Sequence, residues 1–366
     1  MSNILTNPTS KDRLSDFVDK RIAHPMMKRT LEKLLGMILN PAGAEIALLC
    51  GPTGVGKTTM LDILVDQLHA LELDAMKADP GYIPVVCVKA PAPKGSNFSW
   101  KDFGVRVLDA MAEPLMDHKV VPLEPSGVKN ARGNHNTLNV DELCRVVEQS
   151  LRARKTKLLM IDEAQHMHHV TSGRRLLDQL EVLKSMSNDG ETVIMLTGTY
   201  DLLNMVELNG QLLRRTMVFN FPRYKFDDIQ YGEFLVALKA FQTRIQTAKP
   251  TDLVTHAEYL YKSCLGLVGI LKNHLERALR HSLDRGAASV ELADLEATAL
   301  SETALFQILS EAKNGEKFFE SMHADKSLGA ALGMEPLESI ASVKGPSRKR
   351  VGLRKEINDP VGIDMN

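Results

Sequence analysis

The residues Gly51-Pro52-Thr53-Gly54-Val55-Gly56-Lys57-Thr58 constrain this chain more than any other stretch. They fit G-x-x-x-x-G-K-[ST] at every position. An apolar run, 45–50, ends just before them, and an amphipathic helical pattern starts at Lys57. Glycines in such a loop let backbone N–H groups converge on an anion, and the helix N-terminus adds partial positive charge. The motif predicts a phosphate cradle at the carboxyl edge of a parallel sheet.

The rest of the chain has to supply that sheet. Apolar runs at 84–88, 158–161 and 192–196, with a fifth at 217–221, are the length of strands buried on both faces. Helical spacing of apolar residues covers 57–71, 100–116, 140–154 and 174–186 between them. Alternating strands and helices predict an α/β core with a parallel five-stranded sheet. A helix from Met26 to Leu39 precedes it, with Pro41 and Gly43 as its stop. After Pro222 the strands cease. Residues 227–245, 252–263, 269–285 and 291–311 all read as helix, so an all-helical lid domain is expected.

The expected organisation is an extended N-terminal arm over 1–25, an α/β domain over 26–222, the helical lid over 223–311, and a C-terminal helix with a flexible basic tail over 312–366.

Composition excludes little. Of 366 residues, 44% are hydrophobic and 25% charged, which suits an ordinary globular protein of more than one unit. With 45 basic against 46 acidic residues, any nucleic-acid contact must come from local clustering. Cys50, Cys87, Cys144 and Cys264 form no metal or disulfide pattern and read as isolated core residues of a reducing compartment. The first residues carry no apolar signal-type stretch, and no run reaches the ~18 apolar residues of a membrane span. No membrane partner and a cytoplasmic location are the expectation.

Four constellations carry chemistry. In the loop, Lys57 would reach the β- and γ-phosphates of ATP and the Thr58 hydroxyl would ligate Mg²⁺. Gly51, Pro52, Thr53, Gly54, Val55, Gly56, Lys57, Thr58 and Thr59 are the expected nucleotide contacts. The run Leu158-Leu159-Met160-Ile161-Asp162-Glu163 ends a strand in two carboxylates. Asp162 would complete the magnesium shell, and Glu163 would orient and polarise the attacking water.

The strand ending Leu196-Thr197-Gly198-Thr199 has hydroxyls at its tip. If it lies between the first and third strands, Thr199, or else Thr197, helps place that water. Finally, Arg214 and Arg215 end a short helical run before the last strand. In a ring or filament, a guanidinium there would reach the neighbour's nucleotide as an arginine finger.

Taken in order, GPTGVGKTT, LLMIDEAQHM, VIMLTGTYDLL and GQLLRR resemble the AAA+ ATPases of the TniB/TnsC type, which regulate DNA transposition. More distantly they resemble MuB and initiator-type AAA+ proteins. The resemblance spans about residues 20–285, and its most specific part is Asp162-Glu163-Ala164-Gln165-His166 followed by Leu196-Thr197-Gly198-Thr199.

It implies an AAA+ P-loop core with a helical lid, binding of ATP and Mg²⁺, and self-assembly as a ring or helical filament on duplex DNA. It also implies a link between a target-selection protein and a transposase, with disassembly on hydrolysis. A helicase-loader or IstB-like remodelling ATPase is the alternative. By position, Lys57 and Thr58 are the Walker A pair, Asp162 and Glu163 the Walker B pair, Thr199 sensor 1, and Arg214 or Arg215 the finger. Initiator relatives carry an arginine on the lid helix opened by 266–272. The nearest base here is Lys272, a point charge where a fork is usual.

DNA contacts are expected from the basic stretch 89–132, with Lys94, Lys101, Lys129 and Arg132 as the chosen residues. Such contacts would be sequence-independent and salt-sensitive. The tail segment 344–355, with six basic residues and no acidic one, is a second place for DNA or a protein partner.

Overall fold

A computed structural model describes residues 10–93, 98–112, 139–168, 182–184, 186–187, 191–204 and 214–323. Among these, five strands form one sheet: β1 (Ile46–Cys50), β2 (Val85–Lys89), β3 (Leu158–Asp162), β4 (Val193–Gly198) and β5 (Thr216–Asn220). Their order is β2-β3-β4-β1-β5, and every pair is parallel. All strand C-termini therefore share one edge. β4 does lie between β1 and β3, with Cys50 opposite Gly198.

Side-chain alternation sorts the strands into two cores. Ala47, Leu49, Leu158, Met160, Val193 and Met195 face one cluster. Ile46, Leu48, Leu159, Ile161, Ile194 and Leu196 face the other. Both faces are covered, which is why the three central strands read as unbroken apolar runs.

The second cluster is closed by α5 (Trp100–Ala110) and α6 (Val140–Ala153). The first is closed by α2 (Pro25–Leu39) and α3 (Lys57–Leu71), which α4 (Leu73–Ala78) follows. The α6 start is fixed by a reciprocal cap: Glu142 N donates to Asn139 Oδ1, and Asn139 N donates to Glu142 Oε2.

Beyond β5 the described residues hold helices and no strand, as their periodicity predicts. The helices are α7 (Asp228–Gln242), α8 (Ala257–Cys264), α9 (Val268–Asp284), α10 (Leu292–Thr298) and α11 (Glu302–His323). Phe234, Leu238, Leu271 and Leu275 of α7 and α9 join the same cluster as Leu34 and Leu64, so the lid shares its apolar core with the α/β part. Residues up to Met322 form one compact unit.

Two local expectations are corrected. The helix expected over 291–311 is two helices: the first ends at Thr298, where Ala299 turns extended, and Ser301 caps the next, its Oγ accepting from Ala304 N at 3.3 Å. The segment expected as an extended arm holds a helix, α1 (Ser10–Asp19). Phe17 is 1% exposed and packs its ring 6.2 Å from Phe241, while Gln246 Nε2 donates to Asp16 Oδ2 at 2.8 Å. Tertiary contact makes a helix of a polar sequence with weak local signals.

The expected helix over 174–186 lies mostly outside the described residues, as does the tail beyond 323.

Candidate active site

The site is built where β1, β3 and β4 end. The loop leaving β1 turns through Gly54 (φ +79°) and Gly56 (φ +108°), left-handed values that side-chain-bearing residues rarely adopt. Gly56 is the N-cap of α3 and offers no side chain to the first N–H groups. Those donors stay available to an anion.

Lys57 is the first residue of α3 and is buried. Its Nζ donates to Gly51 O at 2.8 Å and Pro52 O at 2.9 Å. Burial pushes the amine down to about 8, against the opposing pull of Glu163 and Asp162. Thr58 follows, and its Oγ1 donates to Asp162 Oδ2 at 2.9 Å. The loop and the end of β3 are thus in contact. Thr53 is exposed, Pro52 and Val55 are buried, and Thr59 is half-buried on the first turn of α3.

Asp162 is 8% exposed, and its second oxygen accepts from Glu163 N at 2.9 Å. Glu163 has φ +53°, a left-handed backbone that costs roughly 1–2 kcal/mol in a residue with a Cβ. The Asp162 bond and the following 3-10 turn, Ala164–His168, hold it there. Strain of this kind concentrates where a side chain must be aimed.

Thr199 stands at the tip of β4, next to the loop, where Gly51 N donates to Gly198 O at 3.2 Å. Its Oγ1 donates to Asp201 Oδ2 at 3.0 Å. Thr197 is fully buried one pleat back, and its Oγ1 has no protein partner among the described residues.

The donor set suits magnesium. A hydroxyl and a carboxylate oxygen 2.9 Å apart are hard ligands at the foot of an anion-binding loop. Mg²⁺ takes one or two protein oxygens and fills its shell with waters and phosphates. Among the described residues no group of three His, Cys, Asp or Glu side chains could cage a metal without such help. Thr58 and Asp162 would hold the ion. Bound there, it would neutralise charge on the phosphates.

Other predicted residues lie elsewhere. Lys272 is on α9, and its Nζ donates to Val18 O at 2.7 Å, so it ties the lid to α1 and is not brought to the loop. Its amine also sits below its ordinary value because it is partly buried. Arg214 and Arg215 precede β5, at the opposite edge of the sheet from the phosphate loop. Five strand residues, ~17 Å, separate them from it. Arg215 is ion-paired to Glu45, whereas Arg214 is exposed. Lys101 is half-buried on α5. Lys94, Lys129 and Arg132 lie outside the described residues.

Three contributors escaped the sequence reading. Gly269 and Ile270, at the start of α9, touch the loop directly: Ile270 N donates to Gly54 O at 3.1 Å. Gln165 bridges Glu163 and Thr199. Helix α11 walls a cleft of about 400 Å³ whose other lining includes Pro52, Thr53, Thr199 and Asp201. It is anchored by Arg223, which pairs with Glu316 at 3.0 Å, and by Gly315, where an added Cβ would meet the Tyr200 ring at 2.1 Å. Gln165 lies in the run 162–166 that carries the resemblance, and Gly269 in the stretch that opens the lid helix, but neither pattern says what its residue touches.

The model of the AAA domain matches residues 41–206. The fold is that of an AAA+ P-loop protein, with a parallel five-stranded sheet and a helical C-terminal region. Similar solved structures include the Aeropyrum pernix ORC2 protein in ADPNP–ADP complexes, at 16% identity and TM-score 0.51, covering 77% of this chain and 70% of that one. The Aeropyrum pernix ORC1 protein in complex with DNA is 17% identical, with TM-score 0.50 and coverage of 78% and 68%. Drosophila ORC bound to DNA is 10% identical, with TM-score 0.50 and coverage of 83% and 68%. At such identities the likeness is one of fold. No curated protein matches the chain. None of the described helices is long and apolar enough to cross a membrane.

Proposed function

We propose that this chain is a magnesium-dependent ATPase that assembles on duplex DNA with ATP, links a target-selection protein to a transposase, and disassembles on hydrolysis. The observation that carries the ATPase is the convergence of Lys57, the Thr58–Asp162 pair and Glu163 at one sheet edge. Lys57 leaves its two loop carbonyls for the phosphates, Thr58 and Asp162 hold the ion, and Glu163 polarises water for in-line attack.

Assembly is supported by the position of the two arginines. A guanidinium ~17 Å from its own loop serves catalysis only in a neighbouring subunit. Arg214 is exposed there, and Arg215 is occupied by Glu45. The transposition role rests on the resemblance of the four motifs to TniB/TnsC-type regulators, and DNA binding is in keeping with it. Two of the three ORC structures of similar fold were themselves solved with DNA.

The test is to incubate the purified protein with ATP or a slowly hydrolysed analogue, with and without duplex DNA, under negative-stain microscopy. Filaments or rings on duplex are expected, Lys57→Ala should abolish them, and Glu163→Gln should trap them. Monomers that cap a helicase ring would instead identify a loader. Faster disassembly in Glu163→Gln would remove Glu163 from its role.

A further inference from the structure

Gln165 makes two hydrogen bonds that join separate parts of the site. Its Nε2 donates to Glu163 Oε2 at 2.5 Å. Its Oε1 accepts from Thr199 N at 3.3 Å. One side chain thus connects the carboxylate after β3 to the backbone at the tip of β4. The turn that carries it is fixed by Ala164 and Met167, both fully buried. The space for its oxygen exists because residue 198 is glycine: a Cβ there would meet Gln165 Oε1 at 2.1 Å.

We propose that Gln165 is a positioning residue for ATP hydrolysis, a strut that sets the Glu163 carboxylate in register with the end of β4. The inference rests on the reading of Glu163 as the group that polarises water. A side-chain amide donates to a carboxylate through its nitrogen while its oxygen accepts from a backbone N–H. With Oε2 held by the amide, Glu163 has Oε1 left for water. A hydrogen bond to an ionised partner is about twice as strong as a neutral one, enough to choose one rotamer of a half-exposed glutamate. The strut also ties Glu163 to the strand carrying Thr199, so a shift of that strand on nucleotide binding moves the carboxylate with it.

The experiment measures kcat, the Kd for a fluorescent ATP analogue, and Tm in parallel. Gln165→Met keeps the volume and loses both bonds. Gln165→Glu keeps the acceptor for Thr199 and loses the donor for Glu163. Gly198→Ala leaves Glu163, Gln165 and Thr199 chemically intact and displaces the amide. All three are expected to lower kcat about tenfold or more, while Kd changes less than about threefold. The double variant Gly198→Ala with Gln165→Met should be no slower than Gln165→Met alone, because both remove one strut.

Glu163→Gln is run alongside. If it still hydrolyses ATP, the reading of Glu163 fails and the strut fails with it. If Glu163→Gln is inactive but Gln165→Met and Gln165→Glu keep or exceed the parent kcat, the strut alone is overturned. Equal losses in kcat, affinity and Tm would likewise overturn it, since those mark a packing role. Should Gln165→Met not fold, Gly198→Ala and Gln165→Glu still decide the question.

Discussion

The N–H of Ile270 donates to the carbonyl of Gly54 at 3.1 Å, which joins the first turn of α9 to the phosphate loop. The approach is close on both sides. A Cβ at Gly269 would lie 2.6 Å from Gly54 O, and one at Gly54 would lie 2.6 Å from Ile270 Cγ1. The lid therefore bears on the loop through backbone.

Gly269→Val tests this contact. Backbone cannot yield as a flexible side-chain tip would, so α9 must move off the loop at ~1–3 kcal/mol of overpacking. ATP affinity should fall about tenfold as the loop loses its support. Titration with a fluorescent nucleotide checks it, with circular dichroism confirming that the helices remain. Affinity equal to the parent's would show that the lid contact is irrelevant to binding.

The two adjacent arginines should separate cleanly. Arg214→Ala should abolish assembly-dependent hydrolysis with little change in Tm, since the side chain is exposed. Arg215→Ala should lower Tm by ~2 °C, because Glu45, 12% exposed in its side chain, loses its partner. Mixing supplies the decisive measurement. Arg214→Ala subunits have an intact site, and Glu163→Gln subunits assemble and keep an intact Arg214, so a mixture should regain part of the hydrolysis. A mixture as inactive as its components would rule out a finger acting in trans.

His24 should make stability depend on pH. It is 2% exposed, its Nδ1 lies 2.8 Å from Tyr224 Oη, and its ring stacks on Phe221 at 5.8 Å. Burial pushes it from 6.5 down to about 4; nearby Glu233 opposes that shift and Arg29 adds to it. Between those values the unfolded chain takes up a proton that the folded chain refuses. The contribution is full above pH 6.5 and falls as the pH drops toward 4, by about 3 kcal/mol in all. Urea unfolding of the parent and of His24→Gln at pH 7 and 4.5 reads it. The parent's advantage should shrink at the lower pH, and an advantage independent of pH would count against a buried neutral imidazole.

Much of this was legible along the chain. The sequence pattern predicts the helix Lys57–Leu71 to the residue, because the glycine loop marks its start and the loss of apolar spacing its end. The strand runs were legible for a related reason: burial on both faces allows no polar residue until the strand ends, so Asp162 marks its own boundary. α1 was not legible. Its few apolar residues, Leu14 and Phe17 among them, acquire meaning only against the lid. The bond from Lys272 Nζ to the carbonyl of Val18 was hidden for a similar reason, since the two residues lie 254 positions apart.

Local spacing was enough to reveal a phosphate loop, a carboxylate pair and alternating strands and helices, because each depends on residues a few positions apart. Packing in three dimensions is what puts β4 between β1 and β3, lets Gln165 reach both Glu163 and Thr199, and leans α9 on Gly54. Those are meetings of distant segments. They are selected by how two apolar faces and a lid close around one sheet, and no local pattern encodes a partner's place in space.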